Sequence, residues 1–379
     1  MNRILRYAPT TLFFTILLLT VFYLVHHQIT SLDRFASDTD EHIIILYRLF
    51  YEPGYYISHP LWHTVTFYLS RFFHISIENS AALSSAFFVT LWAWLVYRIT
   101  RRETGKNTPL LPLGITAIVI TVGPLCLPWI RKIIFLGSPN IWHNVTLWAV
   151  KPLALLTVWF LLLALREKEW KYYLYSLGAA LLSIFAKPSF IIVFIPALLL
   201  FIPIKKLFSR TFLTYLTLLL LTSSLVLFYQ YTHTFGSHGN SKIIIDFLGV
   251  WSRSTPNVAY SILMLLAFPL AFSLLESRIV HDDAIMLSWL MVFFGIAYYA
   301  TFAQTGRFYT HGNFGWSYMI ATSLLYFFTI LKFVKIFYDI TLWKRALLSG
   351  LLSIQTAIGL YYLWKVLEGQ NPLYIAIFL

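Results

Sequence analysis

The chain has 379 residues, of which 59% are hydrophobic and 11% charged, and it carries a formal net charge of +13. With a mean hydropathy of +0.73, this composition excludes an ordinary soluble protein of two or so domains. The 28 lysines and arginines collect in short loops between apolar runs and form no basic stripe, which excludes nucleic acid as a partner and is the orientation signal of membrane proteins.

The first apolar run extends from Pro9 to Gln28 behind Arg3 and Arg6. It has no small-residue cleavage site, so it is expected to be a retained span with a cytoplasmic N-terminus. The next basic loop is Arg98–Lys106. Only one crossing fits between the two, at about 82–97, so residues 31–78 form an extracytoplasmic loop. Two helical stretches in it, 40–50 and 60–74, are too polar or too short to cross and are expected to lie in the interface plane. Further spans are expected near 110–128, 146–165, 173–186, 190–204, 211–230, 258–275 and 284–303, then up to Lys335, and a last one ending near Trp364. The expected architecture is a single all-α polytopic membrane domain over residues 1–379. It has roughly eleven crossings and an extracytoplasmic C-terminus. No internal repeat is visible, which leaves an inverted-repeat transporter without support. The single cysteine, Cys126, offers neither a disulfide nor a thiolate metal site.

Sorted by expected side, the unusual polar residues fall on the extracytoplasmic face: Asp38, Asp40, Glu41, His42, His59, Arg131, Lys132, Asn140, His143, Asn144, Lys151, Lys187, His238, Arg253, Arg307, His311 and Asn313. Ionisable groups at membrane depth are costly and tend to pair or to line a cavity. In Asp38-Thr39-Asp40-Glu41-His42, three acids within four positions suit a general base of raised proton affinity. They equally suit the acidic first turn of a helix. A divalent cation, Mg²⁺ or Mn²⁺, bound by these acids is an alternative to the charge problem, whereas the histidines lack a tight metal-ligand spacing. Lys151-Pro152 and Lys187-Pro188 place an ammonium beside a proline-freed carbonyl, where it can hold a phosphate or snorkel to headgroups. Arg307, His311 and Asn313, with glycines at 306, 312 and 315, offer donors in a turn that permits close approach. Ser138–Asn144, with Asn140, His143 and Asn144, has a similar makeup.

The first loop, with Asp38–His42 followed by Pro53-Gly54 and His59-Pro60-Leu61, resembles that of the GT-C superfamily of membrane glycosyltransferases. The likeness covers about residues 10–100 in detail and beyond them only the topology. It implies an enzyme that takes a sugar from a polyprenyl-phosphate donor and passes it, with inversion, to a glycan or lipid-linked acceptor. The family's catalytic acid falls on Asp38 or Asp40. Which of the two is the base stays open at this point, and Glu41 belongs to the same cluster. His42, His59, Asn140, His143, Asn144, Lys151, Lys187, Arg307, His311 and Asn313 are the residues expected to bind substrate. The expected location is the inner membrane of a bacterium, with membrane lipids as surroundings. Two rivals remain. One is a lipid-linked polysaccharide polymerase or ligase that relies on Arg131, Arg253 and Arg307; the other is a non-enzymatic flippase or transporter.

Overall fold

The computed structural model describes residues 3–31, 37–105, 109–126, 137–235, 241–255, 257–371 and 375. Helix α1 (Arg3–Thr30) is followed by α2 (Asp38–Tyr51), α3 (Leu61–Phe73), α4 (Ile77–Thr104), α5 (Leu110–Thr121) and α6 (Val145–Glu167). Then come α7 (Trp170–Ala186), α8 (Ser189–Lys205) and α9 (Arg210–Phe235). A short strand β1 (Ile243–Ile245) precedes α10 (Gly249–Ser254), α11 (Val258–Leu265), α12 (Ala267–Leu275) and α13 (Asp283–Thr301). Strand β2 (Phe302–Gln304), α14 (Gly315–Lys335) and α15 (Leu342–Leu367) complete the order.

Seven helices are long and apolar enough to cross a membrane: α1, α4, α6, α9, α13, α14 (extended back to Phe308) and α15. The count is eight if α11 and α12, bent by 71° at Leu266, form one span. The chain is therefore an integral membrane protein. The remaining expected crossings fold as shorter helices, of 12 residues in α5 and 17 in each of α7 and α8. The expected span 110–128 is thus cut at Thr121, and Val122–Cys126 run on without helix.

Helices α2 and α3 occupy the two stretches expected to lie along the interface. Ser37 caps α2 by accepting from the Thr39 amide, and Asp38, Asp40 and Glu41 fill the first turn, where acids meet the positive end of the helix dipole. The two helices are joined by Phe50 stacked on Phe67, with ring centroids 3.8 Å apart. Ile44, Tyr47, Tyr51, Tyr68, Phe72 and Phe73 remain exposed on them, an apolar face that suits the headgroup boundary.

Five loops that the sequence pattern assigns to one side of the membrane meet at one end of the bundle. Glu103 takes both Arg166 (3.0 Å) and Lys335 (2.9 Å). Arg102 reaches Glu167 (2.6 Å), Lys205 reaches Asp283 (2.6 Å), Lys332 reaches Asp282 (2.9 Å) and Lys344 reaches Glu276 (2.8 Å).

Helices approach closely where side chains are small, as membrane packing favours. The tightest place is Gly359 of α15, where an added Cβ would overlap the Thr121 carbonyl and lie 2.8 Å from the Gly123 amide. Gly359→Ala is expected to lower stability by about 1–3 kcal/mol through overpacking. Thermal unfolding in detergent reads this directly, and an unchanged midpoint would contradict the packing described.

The break after α5 and the bend between α11 and α12 share one buried side chain of α15. Gln355 donates to the Gly123 carbonyl (3.1 Å) and the Tyr326 hydroxyl (2.7 Å), and its oxygen accepts from the Phe268 amide (3.1 Å). Non-helical backbone inside a membrane protein requires such internal partners, because lipid offers none.

Candidate functional site

At the end of the bundle opposite the ion pairs, three elements, α2, α6 and the turn between α7 and α8, converge on Asn144. This residue caps α6, its side-chain oxygen accepting from the Leu147 amide at 2.8 Å. Its amide nitrogen donates to the Asp38 carboxylate at 2.6 Å, and the Asp38 amide in turn donates to the His143 carbonyl at 3.3 Å. Lys187 completes the group. Its ammonium donates to the Thr146 hydroxyl at 2.8 Å and, more weakly, to the Asn144 oxygen at 3.4 Å. The Trp316 ring lies 4.9 Å from it, within range of a cation–π attraction.

Local sequence explains how Lys187 arrives there. Pro188 disfavours an α conformation at the residue before it, and Lys187 is extended (φ −169°) between α7 and α8. The lysine is 7% exposed, and no carboxylate lies within ion-pair distance of it among the described residues. Burial lowers its pKa to about 8, and Asp38 opposes that shift.

Three histidines pack beside this group. His42 is one helical turn beyond Asp38 on the inward face of α2. Its Nδ1 lies 3.0 Å from Nε2 of the buried His63, and the His59 ring stands 6.4 Å from each of the two. Burial holds all three well below the ordinary imidazole pKa. For His42 the neighbouring His63, His59 and Lys187 add to the effect; for His59 the additions come from Lys187 and His63. His63 falls to about 3, burial outweighing a hydrogen bond with the His59 backbone, with Lys187 lowering it further. His143 is lowered by burial against the pull of Asp38. The unfolded chain therefore binds protons that these imidazoles refuse in the fold. Stability should fall on acidification below the unfolded value of about 6.5, and for His63 the loss continues to about pH 3. Melting curves across that range should show a slope that His63→Gln reduces; an equal slope in the variant would refute the assignment.

The other expected site residues are elsewhere. Asp40 and Glu41 are exposed in the first turn of α2, whereas Asp38 is half-buried. Lys151, 4% exposed, donates to the Pro139 carbonyl (2.6 Å) and the Asn140 oxygen (3.0 Å) and does not join Lys187. Asn140 turns its amide to the carbonyls of Val119 (2.9 Å) and Val122 (3.0 Å), holding the end of α5. Asn313 donates to Gln304 (2.6 Å), and His311 is exposed against Phe308. Asn313 thereby supports a small flap in which β1 pairs antiparallel with β2, Ile243 opposite Gln304. Arg253 lies over the Tyr309 ring at 4.7 Å, and Tyr309 bonds Asp246. Arg131, Lys132 and His238 lie outside the described residues, as does the side chain of Arg307.

Among the described residues no group of three or more His, Cys, Asp or Glu is arranged to hold a metal ion. The acids divide between the half-buried Asp38 and the exposed Asp40 and Glu41. No family model matches the chain, and no curated protein matches it.

Sequence reasoning missed His63, Thr146 and Trp316 as members of the site. His59 and His63 stand four residues apart across the Pro60 entry to α3, a local proximity that the sequence already displayed. Nothing in the sequence marks Thr146.

Proposed function

We propose that the chain is a membrane glycosyltransferase of the GT-C kind, using a polyprenyl-phosphate sugar as donor and a glycan or lipid-linked hydroxyl as acceptor. The observation that carries this reading is the pairing of a half-buried carboxylate, Asp38, with a buried ammonium, Lys187, across Asn144. An ammonium removed from water with no carboxylate in direct ion-pair contact is poised to take an external anion. A phosphate leaving group meets that requirement, and the acid beside it suits a base for the incoming hydroxyl.

In the reaction, the Asp38 carboxylate takes the proton of the acceptor hydroxyl as its oxygen bonds to the anomeric carbon. The bond from that carbon to the phosphate oxygen breaks, and the phosphate departs with the electron pair. Lys187 stabilises the charge that develops on it, a contribution worth about 10²–10³ in rate where a single donor has been removed from comparable sites. Attack opposite the leaving group inverts the anomeric centre. In this reading all eleven apolar segments cross, α11 and α12 counting as one. The site then faces the extracytoplasmic side of a bacterial plasma membrane, and α2 and α3 lie along its surface.

A panel of polyprenyl-phosphate sugars is expected to raise the melting temperature of the purified protein. Lys187→Met should abolish the shift. Affinity should also weaken as pH rises through about 8, where Lys187 loses its proton. A panel that leaves the melting temperature unmoved would overturn the donor assignment.

A further inference from the structure

Lys151 poses a separate problem. It is buried within α6, and its two hydrogen-bond partners, the Pro139 carbonyl and the Asn140 side-chain oxygen, are both neutral. No carboxylate pairs with it among the described residues. Beside it is a cavity of about 10 Å³ walled by Val89, Ile120, Trp92 and Trp142, room for a single small guest. Trp92 and Trp142 are themselves buried, and both indole N–H groups lack an acceptor among the described residues. The Trp92 ring is 5.9 Å from the ammonium.

The neighbouring polar groups are already engaged. Asn140 spends its amide protons on Val119 and Val122, and the Trp148 indole donates to the Ile141 carbonyl at 2.7 Å. The cavity-lining side chains left with an unpaired polar group, Trp92 and Trp142, offer only donors, and they accompany a positive charge. Buried donors without acceptors are costly, and so is a buried charge without a partner. A water molecule answers this poorly, because it brings two protons that themselves need acceptors. A small monovalent anion accepts from every group, needs no acceptor and neutralises the ammonium.

We propose that the cavity beside Lys151 binds one monovalent anion of halide size, held by the Lys151 ammonium and the indole N–H groups of Trp92 and Trp142. The site is distinct from the Asp38–Asn144–Lys187 group, and its occupancy is read by binding alone, so it stands or falls independently of glycosyl transfer. Occupancy also gives the buried lysine a structural role, because the anion, Lys151 and Asn140 together tie α6 to the end of α5.

The test uses the intact protein with bromide as probe. A structure determined in bromide buffer should show an anomalous peak in this cavity within hydrogen-bonding distance of Lys151 Nζ. Water density without anomalous signal, or an empty cavity, overturns the proposal. In parallel, the melting temperature should rise saturably with chloride when gluconate holds the ionic strength constant. Trp142→Phe should weaken the apparent chloride affinity about tenfold or more, the expected loss for one hydrogen bond to a charged group. Lys151→Met should abolish the effect, and if that variant does not fold, the Trp142→Phe titration decides alone. An identical chloride response in wild type and variants overturns the proposal.

Discussion

Asp38→Asn is expected to lower the rate of sugar transfer by about 10²–10⁴-fold, the range over which a positioned base acts. The substitution keeps the size of the side chain and an oxygen able to accept from Asn144. The fold should therefore survive, and the melting temperature should change little while turnover collapses. A second effect follows from charge. Asp38 holds up the pKa of Lys187 against burial, so its removal should move the loss of donor affinity to lower pH. The two readouts separate a base from a mere helix-capping acid, since an acid that only caps α2 would cost stability and leave turnover near normal. Asp40→Asn provides the comparison within the same turn: the loss should be larger at Asp38, which alone of the pair is in hydrogen-bond contact with Asn144. Equal transfer rates in wild type and Asp38→Asn would end the case for a catalytic acid here.

Gln355→Leu should produce the largest stability loss. The leucine fits the space but leaves the Gly123 carbonyl and the Phe268 amide without their partner. The Met264 carbonyl and the Tyr326 hydroxyl keep other bonds, to the Leu125 amide and the Leu265 carbonyl. Two buried groups are thus orphaned, each at about 1–3 kcal/mol. A leucine variant as stable as wild type would mean that the breaks at Val122 and Leu266 are held by something else.

The legible parts of the fold were those governed by local pattern. Helices α2 and α3 stand close to where apolar spacing placed them, because the Ser37 cap, the acidic first turn and the Pro60 entry are written in neighbouring residues. The end of α5 was missed although Gly123-Pro124 mark a break in the apolar run 110–128; what was not legible is the partner that holds the broken backbone, a glutamine more than two hundred positions later. The β1–β2 flap was missed for the same reason: three-residue strands carry almost no periodic signal, and the partner is distant in sequence. At the site, the residue types were readable and their grouping was not. Lys151-Pro152 and Lys187-Pro188 look alike as dipeptides, yet one sits inside α6 and the other in the turn before α8. Only the fold assigns them to separate places. His42 and Asp38 were legible as neighbours because they share one helix face; His63 came from another helix.

Among the described residues, the six ion pairs that join different elements all lie at one end of the bundle. At the other end, the bonds that join α2, α6 and the α7–α8 turn pass through the amide and hydroxyl of Asn144 and Thr146. The molecule is in this sense clasped along one edge, like a book by its spine. Each clasp is weak alone, being partly solvated, but together they fix the loops in register. Splaying the opposite end separates no direct ion pair among the described residues. A bulky lipid-borne molecule entering from the side would meet the bundle where it yields most easily.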